Sequence, residues 1–167
     1  VLTNSAPGGY GFVTMTNAIK DKLIGAPERD WIGLIKNYLE NNNSNADSVV
    51  NEVWETVTEN SKNPIDVTGY IGSYEDAWFG KVNVELRGTE LWLSSVRSPK
   101  LSGRMYYYQA NTFAIKWNYQ DMECDAFASF NLDKEGVAQE ISMQWISPDT
   151  DFSFDFHDLD FKRVEKP

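Results

Sequence analysis

With 167 residues, 41% hydrophobic and 14% aromatic, the chain can bury one good core with a small appended subdomain, which excludes general disorder. A net charge of −10 argues against phosphate-backbone binding and against attraction to an anionic membrane surface. One cysteine, Cys124, excludes an internal disulfide framework and a multi-cysteine metal centre, and no stretch approaches the length of a membrane span.

In chain order, Val1 to Ser5 reads as the end of a strand running into a turn, as expected of a piece of something longer. Phe12, Met15, Ile19 and Leu23 recur at helical spacing from Tyr10 to Gly25, and Gly25 is placed to end that helix. Asp30 is positioned to cap a second helix, Asp30 to Leu39, with Trp31, Leu34, Ile35 and Tyr38 on one face. The polar run Glu40 to Asn45 reads as a loop before a third helix, Asp47 to Glu59, striped by Val50, Val53, Trp54 and Val57. Asn60 to Pro64 is the expected boundary, separating a helical segment (1–62) from a strand segment (63–167), because the apolar period switches from helical to alternating just beyond it.

Eight strands are expected after it: Val67–Tyr74, Ala77–Gly88, Thr89–Ser94, Leu101–Tyr108, Thr112–Tyr119, Asp125–Leu132, Val137–Trp145 and Phe152–Arg163. Val82, Val84 and Leu86 share a face; so do Phe113, Ile115 and Trp117, then Ile141, Met143 and Trp145, then Phe152, Phe154 and Phe156. The expected fold is α+β: N-terminal helices followed by an antiparallel eight-stranded up-and-down β-barrel, whose interior holds side chains alone or one small ligand.

Tyr70-Ile-Gly-Ser-Tyr74, Trp78-Phe-Gly80, Gly88 with Leu91-Trp-Leu93, Thr112-Phe113, Phe130 with Asp133 and Gly136, and Phe152 to Leu159 followed by Phe161 and Arg163 carry a family resemblance. This order of motifs resembles the lipocalin-like C-terminal domain of unknown function that follows the catalytic domain in class C β-lactamase-related serine hydrolases. Residues 1–31 resemble the last strand, last helix and exit segment of the hydrolase domain itself. The resemblance implies a non-catalytic accessory domain that shapes substrate access or assembly, with the hydrolase domain of the same parent chain as partner. It favours export, periplasmic or extracellular, for that parent.

The family's catalytic residues transfer to no position. No lysine here has a serine three positions earlier, no tyrosine has an asparagine two positions later, and His157 is followed by Asp158 and Leu159 rather than a glycine. Cys124 lies among Asp121, Glu123 and Asp125, which would raise its thiol pKa, and His157 is distant in sequence. Asp149, Asp151, Asp155, Asp158 and Asp160 near His157 offer oxygen ligands for a hard cation, but fit a solvated outer face better, so neither metal nor cofactor is expected.

A second reading is a calycin-like binding module for a small apolar or amphipathic ligand. Its pocket would be lined by Trp92, Tyr107, Phe113, Trp117, Met143 and Trp145, although core packing is the commoner use of such aromatics. A third is a homo-oligomerisation element, which an exposed patch of Trp31, Leu34, Ile35 and Trp54 would favour.

Overall fold

The computed structural model describes residues 8–120, 124–151 and 153–164, so the strand expected at Val1 to Ser5, and Phe152, lie outside the described residues. The chain divides into two compact units, Val1–Asn45 and Ala46–Pro167.

Helix α1 spans Gly8–Ile24 and ends where Gly25 turns to φ +68°, a left-handed conformation that a side chain would disfavour. Helix α2 spans Trp31–Asn60, and Asp30 caps it, its Oδ1 accepting the Gly33 N–H at 2.8 Å. The expected loop at Glu40 to Asn45 is therefore helical, and the expected second and third helices are one. From Leu34 to Asn60 the sequence contains no Gly or Pro. An interior Asn costs only about 0.5 kcal/mol relative to Ala, less than stopping a helix and nucleating another.

In the first unit, α1 and the first half of α2 are tied by the Trp31 indole N–H, which donates to the Asp21 carboxylate at 2.8 Å. Tyr10 and Tyr38 meet ring to ring at 6.1 Å.

The second unit is a closed barrel of eight antiparallel strands in sequence order: β1 Gly72–Asp76, β2 Gly80–Arg87, β3 Glu90–Ser95, β4 Ser102–Gln109, β5 Thr112–Trp117, β6 Ala126–Leu132, β7 Ala138–Trp145 and β8 Asp160–Val164. Closure falls between the first and last strands, with Ser73 opposite Val164, so every strand is paired on both sides. Alternation sends Val82, Val84, Leu91, Leu93, Met105, Ile115, Ile141 and Phe161 inward. Large and small residues face each other across β5 and β6: Phe113 opposes Ala128, and Ile115 opposes Ala126. Gly103 belongs to the same fit, because a Cβ there would lie 2.7 Å from Ile115 Cγ2 and 2.9 Å from a Trp117 ring carbon.

One outer wall is covered by the second half of α2. Val53 and Val57 are buried against Ala114 and Ile146, with Trp54, Tyr106, Tyr108 and Phe127 packed around them. Trp54 meets Tyr106 edge-on at 5.5 Å, and the Asn60 side-chain amide donates to the Tyr108 carbonyl.

Both ends of the barrel are plugged by a 3₁₀ turn. Thr68–Tyr70 occupies the end from which β1 starts, and Tyr70 packs edge-on to Phe113 at 4.9 Å and Phe130 at 5.0 Å. Phe156–Asp158 occupies the other end, where Phe156 stacks on Trp117 at 6.2 Å. The expected eighth strand is thus shorter, because Asp151 Oδ1 takes the Ser153 N–H and turns the chain, and Phe156 enters the core from a 3₁₀ turn.

Asp76 fastens this second end. Burial alone would raise its carboxyl pKa, but N–H donors from Phe79, Asp160 and Trp78 hold it below the ordinary 3.8. Asp76→Asn turns an amide N–H₂ toward one of those donors and is expected to cost about 1 to 3 kcal/mol, read by urea denaturation. Since the folded pKa is the lower one, the wild-type carboxylate's contribution is full above about pH 4 and is lost as the pH falls below that.

Candidate functional site

The barrel interior is the place where a ligand or a reaction would have to be housed. Of the six residues expected to line a pocket, Phe113, Trp117 and Met143 point inward and are buried. Tyr107 and Trp145 are half-buried at opposite ends, Tyr107 against Phe113 at 5.9 Å and Trp145 against the His157 ring at 4.9 Å. Trp92 lies on the outer face, since Leu91 and Leu93 on either side of it point in. There it sits under the Arg87 guanidinium at 4.8 Å, and its indole N–H reaches Glu90 at 3.3 Å. The six are therefore not gathered around one space.

What space remains is small. Among Phe79, Val82, Leu93, Trp117, Met143 and Phe161 about 10 Å³ is left, roughly what one water molecule's centre needs. The interior is a packed core, with Tyr70, Phe113 and Phe130 in mutual edge-on contact toward one end and Tyr74 edge-on to Phe130.

At the end plugged by Thr68–Tyr70 lies a polar clamp that the alternation pattern alone does not reveal. Arg163 donates from Nη2 to the Gly69 carbonyl at 3.1 Å and to the Tyr74 hydroxyl at 2.7 Å, from Nη1 to the Ile71 carbonyl at 3.0 Å, and from Nε to the Ala138 carbonyl. The Tyr74 hydroxyl in turn donates to the Tyr70 carbonyl at 2.7 Å. Burial pushes the Tyr74 phenol up to about 12, with Arg163 pulling weakly the other way. Gly69 is needed beside this clamp, because a Cβ there would lie 2.2 Å from the Gly136 carbonyl oxygen.

Cys124 is buried, and burial, helped by Asp125, pushes its thiol up to about 11, which keeps it protonated at neutral pH. Among the described residues one trio of metal-competent side chains converges, Asp155, His157 and Asp158, with ligand atoms within 4.8 Å of one another. All three are exposed, and the His157 and Trp145 rings meet at right angles with centroids 4.9 Å apart. No described helix is long and apolar enough to cross a membrane.

In the first unit, α1 and α2 enclose an apolar groove of about 430 Å³ lined by Tyr10, Met15, Ile32, Ile35 and Leu39. Around it Phe12, Ile19, Leu23 and Leu34 are also exposed, Leu23 by 80% and Ile32 by 74%.

Fold and interior together define the class: a lipocalin-like, closed and side-chain-filled antiparallel barrel preceded by two helices. Residues 57–163 match the family described as Domain of unknown function (DUF3471), and the chain belongs to that family. Neither the curated proteins nor the solved structures contain a match.

Proposed function

We propose that the chain is a non-catalytic accessory domain of a β-lactamase-related serine hydrolase, shaping substrate access or assembly from a position beside the catalytic domain. The observation that carries this reading is the uncovered apolar surface of α1 and the first half of α2, where Phe12, Met15, Ile19, Leu23, Ile32 and Leu34 all face solvent. Contiguous apolar surface of this kind is normally covered by another folded body. A hydrolase domain whose last helix is α1 would cover it. The order of family motifs along the barrel supports the reading. A ligand inside the barrel has no comparable support, because the cavity among Phe79, Val82, Leu93, Trp117, Met143 and Phe161 measures about 10 Å³.

Two measurements test it. The coding sequence upstream of Val1 is expected to contain, in frame, S-x-x-K followed by Y-x-N; a start codon directly before Val1 would contradict the reading. The chain alone is expected to leave a chromogenic β-lactam and a p-nitrophenyl ester intact, and turnover proportional to its concentration would place catalysis in the chain itself.

A further inference from the structure

Charge is segregated around the barrel. Residues 91–120 carry four cations and no carboxylate, whereas residues 121–160 carry eleven carboxylates and one lysine. Because consecutive strands run antiparallel, the β1–β2, β3–β4, β5–β6 and β7–β8 connections all emerge at one end. Both signs of charge therefore meet there. The first two connections present Trp78, 73% exposed, and Val96, 61% exposed, together with Arg97 and Lys100. The fourth presents Asp149, Asp151, Asp155 and Asp158, all exposed.

Among the described residues, neither set is neutralised by the other. Among the described residues Arg97 and Lys100 join no ion pair, although Arg87, Arg104 and Lys162 do. The Lys100 ammonium rests over the Tyr119 ring at 4.2 Å. Of the four aspartates, Asp158 alone has an ion-pair partner, His157 at 3.8 Å. The turn that carries Trp78 is braced through its backbone: the Trp78 N–H donates to Asp76 at 2.8 Å, and its carbonyl accepts from Arg97 Nη1 at 2.8 Å. Little backbone freedom is therefore left for binding to remove at this turn.

We propose that this end of the barrel is a two-fold interface with a second copy of the chain. Arg97 and Lys100 of each copy face the acidic β7–β8 connection of the other, with Trp78 and Val96 as the apolar centre. A two-fold axis makes such a surface self-complementary, since each basic half meets an acidic half twice, and the contact closes without forming a filament. An anionic lipid surface fits less well, because the acidic half of the same end would be pressed against it. The inference does not depend on the hydrolase reading.

Sedimentation velocity on the whole chain over a concentration series tests it. The wild-type chain is expected to dimerise, and Trp78→Ala or the pair Arg97→Glu with Lys100→Glu to weaken the dimer by about thirtyfold. Asp149→Lys with Asp155→Lys should weaken it similarly. Mixing these two doubly substituted chains, one with both cations of this end made acidic and one with two of its four aspartates made basic, should restore a heterodimer. That rescue shows that both fold. A wild-type monomer at every concentration would overturn the proposal. So would dimerisation unchanged in all variants, which would assign the contact to the exposed helices, or a mixture that stays monomeric. A monomer that instead binds phosphatidylglycerol vesicles through Trp78 would overturn it as well.

Discussion

Arg163→Ala is expected to destabilise the barrel by about 3 to 4 kcal/mol, because the guanidinium ties the Thr68–Tyr70 plug to β1 and β7 and its loss orphans several part-buried acceptors at once. Arg163→Lys should recover less than half, since one ammonium cannot span acceptors on Gly69, Ile71, Tyr74 and Ala138. Urea midpoints at neutral pH measure both. The alkaline limb adds an independent check. Tyr74 has a folded pKa of about 12 against an ordinary 10, so its contribution is full below pH 10 and is lost as the pH rises toward 12. Removing Arg163 takes away the influence that lowers this pKa, so the alkaline loss in Arg163→Ala should extend further up in pH. An unchanged alkaline limb would show that the guanidinium does not act on the phenol.

Phe113→Ala is expected to cost about 3 to 5 kcal/mol, the upper range for an aromatic deletion. Phe113 is 1% exposed and touches Tyr70, Tyr107 and Phe130 at ring distances of 4.9, 5.9 and 5.6 Å. Its cross-strand neighbour is Ala128, too small to fill the void. The cavity would be apolar, and a dry apolar cavity takes small guests. Saturating benzene should therefore raise the melting temperature of Phe113→Ala and leave that of the wild type unmoved. Stabilisation of both by benzene would mean that the native interior is not full.

The strands were legible because their period of two survives in the sequence. Phe113, Ile115 and Trp117 on β5 and Ile141 and Met143 on β7 do face the core, and Gly136, at φ +79°, forms the turn between β6 and β7. The helix count was misread at the run of asparagines, which favours turns locally but lacks the Gly or Pro that would stop a helix already nucleated on both sides. The Phe152 to Phe156 alternation looked like a strand, yet aspartate turn-forming hydrogen bonds decide the backbone there. In the candidate pocket, alternation leaves two phases open for β3, and the structure takes the one in which Leu91 and Leu93 face inward and Trp92 outward. The Arg163 clamp has no periodic signature, because it joins groups far apart in sequence through a single long side chain.

The seam between β1 and β8 has a further meaning. Ser73 and Val164 are register partners, so the chain enters and leaves the barrel at neighbouring points on one end. A body with adjacent ports can be spliced into a surface loop of a host protein without prying the loop apart. It can also be re-cut, with the old ports joined by a short linker and new ones opened at a turn such as Gly88 and Thr89, while every strand keeps both neighbours.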